Sequence, residues 1–282
     1  MKKTLITLLM VLLCAMLIIS CNDDASSSSP KPTYVVSFQL GEGTSTGTGS
    51  DFDAQDVVEG EKAKKPATNP KANGKFKTFA FWSADDGATE FKFDETPITK
   101  DIVLKAIYKE YEAGDIVNYG TYPQAYAIES LRNKAITWKI LSVDKTNSRM
   151  LVISENVLDA SGTYLDFTSY SGSDIQRYLN GDFITTYGLG DVSIVAVNAT
   201  AENITFGSGN DKVFLISKSE AENTSYFANA AARVATYNGR ARQWNLRSIC
   251  SGNFTSPYAV MTDGAIQGYS YATLRPAMWV NL

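Results

Sequence analysis

From residue 33 onward the chain is dominated by short runs in which apolar and polar residues alternate, the signature of half-buried strands. Tyr34–Phe38, Asp56–Glu59, Phe76–Trp82, Glu90–Phe93 and Ile102–Tyr108 predict five of them, the last setting Ile102, Leu104 and Ala106 against Val103, Lys105 and Ile107. After a polar junction at Glu110–Gly114, Asp115–Gly120 reads as a further strand, and Thr137–Val143 and Arg149–Ser154 predict a hairpin across the polar turn Asp144–Ser148. Two stretches change to helical spacing. Ser173 can cap a helix that aligns Ile175, Tyr178 and Leu179 and stops at Gly181, and Ser217–Glu220 supplies a capping box for a second helix through about Phe227. A strand at Lys212–Ile216 precedes that helix. Tyr258–Met261, turning at Asp263–Gly264, and a final strand near Arg275–Val280 follow it. The pattern predicts a mostly β chain with short helices, an α+β class, in two domains at 33–110 and 114–282.

The amino terminus breaks this pattern. Lys2 and Lys3 precede an apolar run from Leu5 to Ile19 that ends in Ser20-Cys21 before Asn22-Asp23-Asp24, which reads as a signal peptide over residues 1–20. The small Ser20 followed by a thiol resembles the bacterial lipobox. That resemblance implies cleavage before Cys21, lipidation of Cys21, and a protein held to the membrane through its N-terminal lipid. Residues 21–32, rich in Ser and Pro, then form a solvated tether that buries nothing. Cys14 leaves with the signal peptide, so Cys250 stands alone, no internal disulfide forms, and a buried, inert thiol is expected there.

Composition removes whole classes of chemistry. The 282 residues include no His, which excludes Ser-His-Asp and Cys-His nucleophile systems and His-ligated zinc. A formal net charge of -4 gives no basic footprint for nucleic acid. No motif calls for a cofactor or a metal: Gly41, Gly43 and Gly47 do not form a phosphate-binding loop, and Asp85-Asp86-Gly87 lacks the ligand spacing of a calcium loop and reads as a turn.

Two resemblances organise the rest. Tyr34–Phe38, Val58–Ala63 with Lys65-Pro66, Phe79–Trp82, Thr89-Glu90-Phe91 and Thr99–Ala106 resemble the Listeria/Bacteroides-type (internalin B-repeat-like) repeat of bacterial surface proteins. This implies a small β-grasp-like fold with Trp82 in its core, used as a spacer or adhesion module. Gly114–Val117, Ile136-Thr137-Trp138, Leu151–Ser154, Arg177–Asn180, Phe214–Ser217, Trp244–Ser248 and Arg275–Leu282 are similar to a bacterial domain family of uncharacterised function. The order of its elements resembles the C-type-lectin-like fold of sulfatase-modifying factors, which implies a last strand that returns beside the first.

Candidate ligand residues concentrate between Arg242 and Tyr271. Trp244, Asn245, Tyr258, Tyr269 and Tyr271 lie there among Gln243, Asn253, Gln267 and small residues, and aromatic rings with amides suit recognition. Tyr269 and Tyr271 share one side of any extended segment. Arg247 and Arg275 could clamp an anion or could pair internally with carboxylates and carbonyls. Glu129, Glu155, Glu202, Glu220 and Glu222 could include a hydrolytic carboxylate pair, although no spacing selects two of them. The expected function is a cell-envelope lipoprotein, at the outer membrane or cell surface, that binds a glycan or protein ligand without catalysis. The alternatives are a glycan-active or cell-wall hydrolase and a purely structural envelope component.

Overall fold

The computed structural model describes residues 30–46, 50–123, 134–158, 167–251 and 255–282. Residues 1–29, on which the expected signal peptide, Cys21 and most of the expected tether fall, lie outside them, as do Glu129 and Asn253. The chain divides into two compact units: residues up to Lys71 with Ala80–Ile107, and Ala72–Phe79 with Tyr108–Leu282.

In the amino-terminal segment, β1 (Thr33–Gln39), β3 (Gln55–Val58), β5 (Lys77–Ser83) and β6 (Ile102–Glu110) form one sheet in the order β3-β1-β6-β5. Two short strands, β2 (Gly43–Thr44) and β4 (Lys71–Ala72), pair separately. The first and last strands run parallel, with Val36 opposite Ile102 and Phe38 opposite Leu104. Alternation buries Val36, Val57 and Leu104 on one face and leaves Val35, Val58 and Val103 exposed on the other. Trp82 is buried, with the Phe38 ring edge-on at 5.0 Å. The strand expected at Glu90–Phe93 is not formed. Phe91 N–H reaches Trp82 O, but the Lys92 carbonyl accepts from both Glu95 and Thr96 N–H and turns the chain instead. Asp85-Asp86-Gly87 is a turn with left-handed backbone at Asp86 and Gly87, and among the described residues no group of carboxylates or thiols is arranged to hold a metal.

The second unit is built on the sheet β12-β18-β9-β8-β7, comprising Val213–Phe214, Ala277–Asn281, Arg149–Ser154, Lys134–Asp144 and Ile116–Tyr122. The expected hairpin is β8-β9, antiparallel, with an irregularity between Ile140 and Ser142. Met150, Leu151, Val152 and Ile153 are buried on both faces of β9, which explains why that run does not alternate. The last strand departs from the lectin-like expectation: β18 pairs with β9 and β12, and β7 lies at the far edge.

Ser173 caps α1 (Asp174–Asn180) by accepting from Gln176 N–H. Asn180 then fastens this helix to β12, its amide nitrogen donating to Val213 O and its oxygen accepting from Val213 N–H. Gly181 ends α1 as its C-cap, as expected, and a second short helix, α2 (Asp182–Thr186), follows directly. The Ser217–Glu220 capping box is present on α3 (Lys218–Glu222). That helix stops well before Phe227, because the Asn223 side chain accepts from Ser225 N–H and starts a turn. Patterning missed the hairpins β10-β11 (Val197–Ala199, Ile204–Phe206) and β13-β14 (Ala235–Tyr237, Arg240–Arg242), and the single turn α4 (Ala230–Arg233). The late strands β15 (Trp244–Cys250), β16 (Ser256–Val260) and β17 (Ile266–Gly268) form a three-stranded sheet. No described helix is long and apolar enough to cross a membrane.

Candidate functional site

The late sheet carries all five residues expected to bind a ligand or lies beside them, but it does not present them together. Trp244 and Asn245 open β15 and are completely buried. Trp244 donates its indole N–H to Arg233 O at 3.0 Å, and the Arg275 guanidinium lies 4.8 Å from its ring centroid. Asn245 N–H bonds Thr273 O at 2.9 Å. These two residues join the terminal segment to the core and cannot touch a ligand in solvent, which corrects the expectation for both.

Tyr258, Tyr269 and Tyr271 do reach the surface. Tyr258 pairs with Gly268 across β16-β17, and Tyr269 N–H continues the ladder to Pro257 O at 2.9 Å. Alternation along that ladder sends the Tyr258 and Tyr269 side chains to opposite faces. Tyr269 and Tyr271 form a pair, ring centroids 6.4 Å apart and nearly perpendicular. Tyr271 is 78% exposed, the most exposed large apolar side chain among the described residues. Two residues on, Thr273 donates N–H to Gln243 O and accepts from Asn245 N–H. The two aromatic rings lie in the turn that follows β17, with exposed Gln267 and Gly268 just before them.

Tyr258 belongs to a different setting. Lys218 Nζ lies 5.5 Å from its ring centroid and pairs with Glu222 at 2.7 Å. A bond with the Cys250 thiol, reinforced by burial and by Glu222 against the opposing Lys218, pushes the Tyr258 phenol above its ordinary value. Tyr258 is therefore a neutral hydroxyl at physiological pH. Cys250 is half-buried rather than buried. Nothing in the sequence placed Lys218 over Tyr258.

The arginines are internal. Arg247 is completely buried, donating from Nε to Thr200 O and from Nη1 to Leu215 O and Glu220 Oε2 at 2.8, 2.8 and 2.6 Å. Glu220 Oε2 also accepts from Ser217 N–H, so the capping box and the buried cation share one carboxylate. Arg275 donates to Ser154 O, Arg233 O and Glu155 O. Burial, opposed by Glu155, pushes its guanidinium down to about 10, and it remains a cation at neutral pH. Of the candidate carboxylates, Glu220 serves Arg247, Glu222 pairs with Lys218, Glu202 accepts from the Ser219 hydroxyl, and Glu155 lies beside Arg275.

The fold and this surface define a mostly β protein with short helices and an aromatic face on its late strands. Residues 147–282 match the family described as Domain of unknown function (DUF6273). No curated protein matches the chain.

Proposed function

We propose that the protein is a cell-envelope lipoprotein, anchored through Cys21 at the outer membrane or cell surface, whose carboxy-terminal domain binds an extracellular glycan or protein. The observation that carries the reading is the Tyr269–Tyr271 ring pair just past the end of β17, with Tyr271 open to solvent. Tyrosine gives broad amphipathic contact area at low entropic cost, and ordering the rings before binding lowers that cost further. The anchor is supported by the basic start, the apolar run and the Ser20-Cys21 ending. The parallel pairing of β1 with β6, flanked by β3, supports a β-grasp-like spacer between anchor and binding domain. For the carboxy-terminal domain, the order of hairpin, short helices and late strands supports a lectin-like reading, from which the position of β18 departs.

The test is a screen of the full-length chain on a printed glycan array and on wells coated with collagen, fibronectin and mucin, repeated with Tyr269→Ala and Tyr271→Ala. The account expects at least one positive surface, with binding lost in both variants while their thermal unfolding is unchanged. Binding that survives both substitutions removes this face as the site.

A further inference from the structure

The amino-terminal unit carries a cleft of about 350 Å³ in the connection between β5 and β6, far in sequence from the tyrosine pair. Its volume lies at the small end of the range for small-ligand pockets, suited to one or two sugar rings. Phe91, half-exposed, and Ile98, buried, give it apolar surface. Thr96 and Thr99 add hydroxyls that can donate and accept, while the Thr89 hydroxyl already donates to Asp85. The charged residues of the lining are Glu90, Lys92 and Lys100.

These charges are not balanced. Lys92 is paired with Glu90. Lys100 has no acidic partner among the described residues, and the adjacent Asp101 is committed elsewhere, its carboxylate accepting from Val35 N–H at 2.8 Å. Among its described residues the cleft thus offers one unpaired cation together with an aromatic ring and two uncommitted hydroxyls. An extended peptide would need free backbone groups to pair with, and here several are already used: Ile98 N–H bonds Glu61 O, Gly60 N–H bonds Ile98 O, and Phe91 N–H bonds Trp82 O. What remains is side-chain chemistry: a face for a pyranose ring, hydroxyls for hydroxyls, and an ammonium for a carboxylate.

We infer that this cleft binds an acidic sugar of the hexuronate class, its carboxylate on Lys100, its ring against Phe91 and its hydroxyls on Thr96 and Thr99. Lys92 and Glu90, paired with each other, add no net charge to the site. The site is independent of the tyrosine pair, so the amino-terminal unit is a second ligand-binding element.

Calorimetric titration of the full chain with the tetramers of galacturonate, mannuronate and guluronate tests this, with neutral maltotetraose and tetraglutamate as comparators. At least one uronate should bind with a dissociation constant below roughly 1 mM, and Lys100→Met should weaken it by about tenfold or more, the range expected for losing a charged hydrogen bond. Lys100→Arg should retain binding, and Tyr271→Ala should not affect it. Lys100 is exposed, so its variants are expected to unfold at the wild-type temperature. The inference is overturned if no uronate binds, if maltotetraose or tetraglutamate binds as tightly as the best uronate, or if Lys100→Met leaves the affinity unchanged.

Discussion

Arg247 is completely buried in the second unit and donates to two carbonyls and one carboxylate, while its Nη2 has no hydrogen-bond partner among the described residues. Removing one partner of a buried pair typically costs about 3–5 kcal/mol, because the other charge is left uncompensated. Arg247→Ala is therefore expected to lower unfolding free energy by that amount in denaturant titration. Glu220→Gln should be at least as costly, since it leaves the fully buried Arg247 cation without its carboxylate, whereas the Glu220 left by Arg247→Ala is 20% exposed and water can reach it. Asp85 makes a prediction in acid. The Ser83 hydroxyl first, then the Thr89 hydroxyl and N–H, hold its carboxylate at about 2, below the ordinary 3.8. Because the folded value is depressed, these bonds contribute fully above 3.8 and are lost as pH falls through about 2. Exchange of the Thr89 amide should accelerate over that interval in the wild type, and the acid dependence should vanish in Asp85→Asn. At this scale composition could gather Trp244, Asn245, Tyr258, Tyr269 and Tyr271 into one stretch, but it could not sort them. Whether an aromatic ring lies under Arg275 or in solvent depends on strand register and on partners such as Arg233 O, which are distant in sequence.

Elements closed by local chemistry were the legible ones. The β8-β9 hairpin was bounded by a polar turn, and α1 and α3 were announced by Ser173 and by the Ser217–Glu220 box. Elements made by tertiary pairing were not: β10-β11 and β13-β14 have three-residue strands, too short for a period to show. The supposed strand at Glu90–Phe93 had strand composition, yet the Lys92 carbonyl closes a turn there. Two substitutions test the local devices. Ser217→Ala removes the side-chain acceptor for Glu220 N–H and should cost about 1 kcal/mol by denaturant titration. Gly120 has φ +67 beside the register shift of β7-β8, and a Cβ there would strike the Tyr187 carbonyl that accepts from Thr121 N–H. Gly120→Ala should cost roughly 1–3 kcal/mol or more, as both backbone strain and steric conflict oppose it.

For the whole chain, the account joins an anchor, a small β unit and a larger α+β unit. If residues 33–110 and 114–282 are separate domains, each fragment should unfold cooperatively by itself, and a non-cooperative melt of either would move the boundary. Palmitate labelling in the native host should be lost in Cys21→Ala, and labelling that persists would remove the anchor. The central claim is that an anchored chain presents Tyr269 and Tyr271 for recognition. The direct measurement is retention of lipid vesicles bearing the acylated full-length protein as they flow over mucin-coated and collagen-coated surfaces, with the Tyr269→Ala/Tyr271→Ala double variant alongside. The account predicts retention of the wild type on at least one surface and a drop of about tenfold or more for the double variant, the scale of losing aromatic contacts at the centre of an interface. Equal retention of the two proteins, or none of the wild type on either surface, would contradict it.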